Sequence, residues 1–198
     1  GAAERAARKS PMADPHRIER YGELWDADQI RACELDLAQM RSLVVVSGGW
    51  AWHFMSEPGH RELKHAHDHK DIDLFVPPKN VASLSELLGR MGYARVPTRH
   101  DQKRAPYPFR RMERSAGGVR IILDLFTADM PARQLAGGWR VVEPAALLGL
   151  YKTVHGSNTC FAVQAAARLL DRGIDPVGHP ELTAIPGSAP RRATGRKS

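Results

Sequence analysis

Asp71-Ile72-Asp73 constrains this chain more than any other stretch. On an extended strand, alternate side chains point to opposite faces, so Asp71 and Asp73 share one face while Ile72 and Leu74 turn to the other. Phe75 and Val76 continue the apolar run, and Pro77-Pro78 ends it. Such a strand sends one face into a core and presents two carboxylates on the other. Neighbouring negative charges are unfavourable without a cation between them, and burying them unpaired costs more. Mg²⁺ suits the pair, being a hard ion that takes oxygen donors and often shares substrate phosphates. Asp124 stands alone in Ile121-Ile122-Leu123-Asp124-Leu125-Phe126, a second strand-like run. An acid in such surroundings needs a partner. A structural salt bridge is one reading, and a third metal carboxylate is the sharper one.

Ser47-Gly48-Gly49 follows the short apolar run Leu43-Val44-Val45-Val46 and precedes a stretch carrying Trp50, Trp52 and Phe54 at helical spacing. The pattern predicts strand, turn and helix. Glycine lets a phosphate approach the backbone closely, and the free N–H groups at a helix start bind anions. A purely structural turn is the plainer alternative. No Gly-Lys-Ser/Thr follows, so this is no Walker A loop, and the GxGxxG fingerprint is absent too.

The rest of the chain reads as alternating elements. Asp28 is expected to cap a helix reaching Met40, with Ile30, Leu35, Leu37 and Met40 inward. His60 to Lys70 is a charged connector. Asn80 is expected to cap a helix bearing Leu84, Leu87, Leu88 and Met91, ended by Gly92. A strand is placed at Tyr93 to Val96. A hairpin turns near Gly117-Gly118 and returns along Val119 to Phe126. Pro144 starts a helix through Leu147, Leu148, Tyr151 and His155, and another helix spans Phe161 to Arg172. The expected division is a loose segment over 1–20, a core over 21–135, a helical segment over 136–176 and a basic disordered tail over 177–198. The fold class is α/β, a small mixed sheet flanked by helices.

Charge narrows the partners. The chain has 29 Lys and Arg against 22 Asp and Glu, a net charge of +7, and a pI near 9.8. A basic surface favours polyanions through phosphate contacts and counterion release. Basic ends alone would produce the same balance. Arg99, Lys103, Arg104, Arg110, Arg111 and Arg114 gather near Tyr107 and Phe109. Basic groups hold backbone phosphate and aromatics stack on unpaired bases, so Arg104, Arg110 and Arg111 are candidate RNA contacts; a solvated loop is the bland reading. His65, His67 and His69 alternate ahead of Asp71. They suit a connector, contacts to phosphate, or a zinc site. Cys33 and Cys160 form no metal-type spacing, which fits a reducing compartment. No apolar run approaches the about 20 residues that span a bilayer. The expectation is a cytoplasmic protein with no membrane partner.

The order of the pieces matters more than any one of them. Val46-Ser47-Gly48-Gly49-Trp50-Ala51, then His69-Lys70-Asp71-Ile72-Asp73-Leu74, then Leu123-Asp124-Leu125, then Val142-Glu143-Pro144 through Tyr151-Lys152 together resemble the nucleotidyltransferase superfamily. Within it they are most similar to the small AbiEii/MenT-type toxins of toxin–antitoxin systems. The resemblance covers about Leu43 to Gly173. It implies a nucleotidyltransferase-type sheet with a C-terminal helical segment. It implies that Asp71 and Asp73 bind two Mg²⁺ ions, that Asp124 completes the acceptor side, that Ser47, Gly48 and Gly49 hold NTP phosphates, and that Lys152 grips the triphosphate. It further implies transfer of NMP to the 3′ end of tRNA, a block of translation, and a cognate antitoxin. His67 and His69 stand where family members often carry Arg and Ser or Thr. A small-molecule nucleotidyltransferase of the aminoglycoside-modifying kind and a catalytically silent RNA-binding module are the alternatives.

Overall fold

The computed structural model describes residues 26–56, 71–99, 101 and 107–155. The 1–20 segment, the His60–Lys70 connector with His65, His67 and His69, Lys103 and Arg104, the expected helix over 161–172 and the basic tail lie outside the described residues.

Helix α1 (Ala27–Met40) starts one residue before the expected cap. Asp26 caps it, its Oδ1 accepting from the amides of Asp28 at 2.9 Å and Gln29 at 3.1 Å. Asp28 instead lies in the first turn, where negative charge meets the positive end of the helix dipole. Ile30, Cys33, Leu37 and Met40 are buried, a stripe at helical spacing. Leu35, expected inward, is 63% exposed.

Among the described residues the strands form one mixed sheet of seven, in the order β3-β4-β5-β2-β1-β7-β6. The expected α/β class and mixed sheet are what the chain forms. β1 (Val45–Val46) is antiparallel to β2 (Ile72–Val76) and parallel to β7 (Arg140–Val142). β2 runs parallel to β5 (Val119–Thr127). β4 (Phe109–Ala116) folds back on β5 through Gly117 and Gly118, whose φ angles of 56° and 80° are those of a tight hairpin turn. The short strands β3 (Ala94–Val96) and β6 (Ala132–Gln134) close the two edges.

Register separates the faces. Ile72, Leu74 and Val76 pair with Leu123, Leu125 and Thr127, and this apolar face meets α1 and α3 (Val81–Met91). Leu37, Leu84, Leu88, Ile121 and Leu123 are among its fully buried side chains. Asn80 takes the N-cap position of α3, as expected, but its side chain makes no capping bond. It ends a 3-10 turn, and its side-chain amide donates to the Leu43 carbonyl at 3.1 Å. Gly92 ends α3 in the left-handed region, with φ 88°. Helix α2 (Gly48–Met55) packs against β2 and β7, and α4 (Pro144–His155) follows β7 in the chain. Trp52 Nε1 donates to Tyr151 Oη at 2.7 Å, joining these two helices in the interior. Among the described residues no helix is long and apolar enough to cross a membrane.

Candidate active site

The three acidic residues meet on one face of the sheet. Asp73 lies directly opposite Asp124 in the parallel β2–β5 register, and Asp71, two residues earlier, points the same way. Asp124 is buried, with 6% of its surface exposed, whereas the Asp71 side chain is 40% exposed. Burial is the main force raising the Asp73 carboxyl well above the ordinary range, and the charges of Asp71 and Asp124 add to it. Asp71 is raised too, by burial first and Asp124 second, with Arg111 opposing.

The cation on this cluster comes from the protein. Arg111 sits opposite Asp124 across the β4–β5 hairpin. Its Nε and Nη2 donate to the two Asp124 carboxylate oxygens, each at 2.7 Å, and Nη2 also reaches Asp71 Oδ2 at 3.2 Å. This is the bidentate fork that makes Arg–carboxylate pairs strong. The Asp124 hydrogen bonds in turn raise the Arg111 pKa. Three carboxylates against one guanidinium leave an excess of two negative charges when all are ionised.

Ser47-Gly48-Gly49 arrives beside them. The Ser47 amide donates to the Asp73 carbonyl at 2.8 Å, a bond between the ends of β1 and β2. Ser47 takes the N-cap position of α2, with Gly48 and Gly49 as its first two residues. Gly48 has φ +58°, and a Cβ built on it would lie 2.2 Å from Asp73 Oδ2. Only glycine lets the helix start this close to the carboxylate. The first amides of a helix have no intrahelical acceptor, so those of Gly48 and Gly49 open beside the acidic cluster.

No family model matches the sequence. No curated protein matches it. Two solved structures are similar. One is ANT(2")-Ia in complex with adenylyl-2"-tobramycin, at 16% identity and a TM-score of 0.46, over 79% of this chain and 95% of that one. The other is the Megavirus polyadenylate synthase, at 14% identity and a TM-score of 0.37, over 79% of this chain and 31% of that one.

The donor set fits a hard divalent cation in kind and in charge: oxygen ligands only, and two negative charges in excess. Among the described residues no group of three or more Asp, Glu, His or Cys side chains is laid out around a common point. Both Asp124 oxygens are taken by Arg111. Lys152 is exposed on α4, one residue after the buried Tyr151. The Trp52–Tyr151 bond therefore fixes its helix to the one that begins at Gly48. Arg110 is exposed and pairs with Leu125, which places it on the opposite face from Arg111. The two arginines, grouped as one basic patch in sequence, are thus separated by strand alternation. Arg104 lies outside the described residues.

Arg111 as counter-ion of the carboxylates is the feature that sequence reasoning missed. A signal for it existed. Counting six residues outward on each side of the Gly117-Gly118 turn pairs Arg111 with Asp124.

Proposed function

We propose that the chain is a Mg²⁺-dependent nucleotidyltransferase that moves a nucleoside monophosphate from an NTP to a hydroxyl and releases pyrophosphate. In this reading the acceptor is the 3′ end of tRNA, translation is blocked, and the chain is a toxin restrained by a cognate antitoxin. The contact of Gly48 with Asp73 carries the reading. It sets the anion-binding start of α2 beside three carboxylates that lack two positive charges. A metal–triphosphate needs both kinds of neighbour at once.

Asp71 and Asp73 are the metal ligands, with Asp124 on the acceptor side. Bound Mg²⁺ would neutralise phosphate charge and favour the ionised form of the attacking hydroxyl. The amides of Gly48 and Gly49, with Ser47, bind and orient the phosphates. Asp124 accepts the proton of the acceptor hydroxyl, and Lys152 is assigned to the triphosphate. Catalysis then rests on positioning and on fixed charge. Arg110 and Arg104 are assigned to RNA phosphates, in keeping with the net charge of +7.

The test is incubation with Mg²⁺, each labelled NTP in turn and total tRNA, beside Asp71→Ala and Asp73→Ala. Label on tRNA with one NTP, lost in both variants, is the expected result. Label on an aminoglycoside instead would make the acceptor a small molecule. Mg²⁺-dependent turnover of no NTP at all would overturn the enzyme reading.

A further inference from the structure

We propose that Arg111 is a displaceable counter-ion that makes metal binding at the carboxylates depend on nucleotide. This rests on the function proposed above and adds an order of binding to it. The guanidinium occupies both oxygens of Asp124 and one of Asp71, so a metal ion arriving alone must compete with a bidentate, charge-assisted pair. Arg111 can leave without disturbing the sheet. Its backbone is held in β4, but its side chain is 27% exposed, and the long stem lets the head swing while the strand stays paired. What it needs in order to leave is another anion, and among the described residues the acid outside the cluster whose charge acts on it is Glu113. Glu113 already accepts both donors of the Arg120 fork. An entering triphosphate supplies that anion, and guanidinium forks match phosphate as well as carboxylate. Metal and nucleotide then help each other: the phosphate draws Arg111 away, and the carboxylates it frees take the metal.

Two consequences separate this device from a merely structural ion pair. Removing Arg111 should loosen binding of nucleotide and diminish its effect on metal affinity, besides tightening binding of metal alone. A structural pair, once broken, would also tighten metal binding, by removing a positive charge beside the carboxylates, but would leave nucleotide binding and its effect on metal affinity unchanged. The experiment uses the full chain and counts free Mn²⁺ by electron paramagnetic resonance, with and without a non-hydrolysable NTP analogue. It compares the wild type with Arg111→Met, and with Arg111→Lys in case the first does not fold. Lysine keeps the charge but cannot span Asp71 and Asp124 with a planar fork.

We expect Arg111→Met to bind Mn²⁺ alone at least tenfold more tightly than wild type, with Arg111→Lys in between. We expect the analogue to raise wild-type Mn²⁺ affinity at least tenfold and that of Arg111→Met far less. Unchanged or weaker Mn²⁺ binding in both variants, or an analogue effect as large in Arg111→Met as in wild type, with normal binding to wild type plus analogue, would overturn the inference and leave the proposed function standing. Absence of Mn²⁺ binding to every protein, with analogue and without, would overturn the proposed function and this inference with it.

Discussion

Gly48 and Asp73 form a contact that tolerates no addition. A Cβ at 2.2 Å from Asp73 Oδ2 forces either the carboxylate or the start of α2 to move, and the positive φ adds strain of about 1–2 kcal/mol. With the overpacking, Gly48→Ala should cost about 3 kcal/mol in urea unfolding; a loss within error would mean that Asp73 turns aside freely. Asp73→Asn should do the reverse. It removes a charge that burial and two neighbouring carboxylates disfavour, so the metal-free protein should gain about 1 kcal/mol while the proposed NMP transfer should be lost. A less stable Asp73→Asn protein would show that the carboxylate is already fully compensated. Cys33 offers a check away from the site. Burial first, with help from Asp36 and Glu34, pushes its thiol up to about 11, against the Gln29 hydrogen bond. Its folded-state alkylation, followed by peptide mapping, should be negligible at neutral pH and rise about tenfold per pH unit toward that value. Fast labelling near pH 7 in the folded protein would contradict the burial of α1.

At the scale of elements, the β4–β5 hairpin carries two arginines with different jobs. Arg111 faces the carboxylate cluster. Arg114, three residues on and therefore on the other face, closes a fork on Asp36 of α1, donating to Oδ2 at 2.6 Å and Oδ1 at 2.5 Å. Tyr93 Oη also donates to Asp36 Oδ2. Asp36 is 1% exposed, so it depends on these partners. Arg114→Met should cost about 3–5 kcal/mol, as removal of one partner from a buried pair does, and lower Tm by about 10 °C. Scanning calorimetry checks it, and a change within 2 °C of wild type, roughly half a kcal/mol, would sink the claim that this fork holds α1 to the sheet. In sequence, Arg110, Arg111 and Arg114 read as one basic run. A charge run does not reveal which members are paired, because the partners lie elsewhere in the chain. Register does, and the Gly117-Gly118 turn made it countable. The Asp-x-Asp strand, the Asp124 strand and the Gly-Gly helix start were legible because each is a local pattern with its own period. β6 and β7 were not: Ala132-Arg133-Gln134 and Arg140-Val141-Val142 carry neither a long apolar run like that before Ser47 nor a helix-ending glycine like the one before β3.

At the scale of the whole molecule, the site gathers groups that are remote in sequence. Its parts come from the end of β1, the start of α2, β2 and β5, with Arg111 added from β4. β2 lies between β1 and β5 in the centre of the sheet. A ligand held by all of these elements must stabilise the sheet as a unit, because releasing any one of them releases the ligand. Ligand at about 100 times its Kd adds roughly 2.7 kcal/mol of stability, which for a chain of this size raises Tm by about 5–10 °C. Mg²⁺ with an NTP analogue should reach that range. Mg²⁺ alone should fall well short while Arg111 holds Asp124, and chelation should reverse the whole gain. Hydrogen exchange gives the same test with spatial detail: protection should rise together in β1, β2 and β5 rather than in one strand alone. A rise confined to α2 would mean that the phosphates bind without the carboxylates. The Gly48–Asp73 contact would then be a packing necessity rather than the joint of a catalytic site.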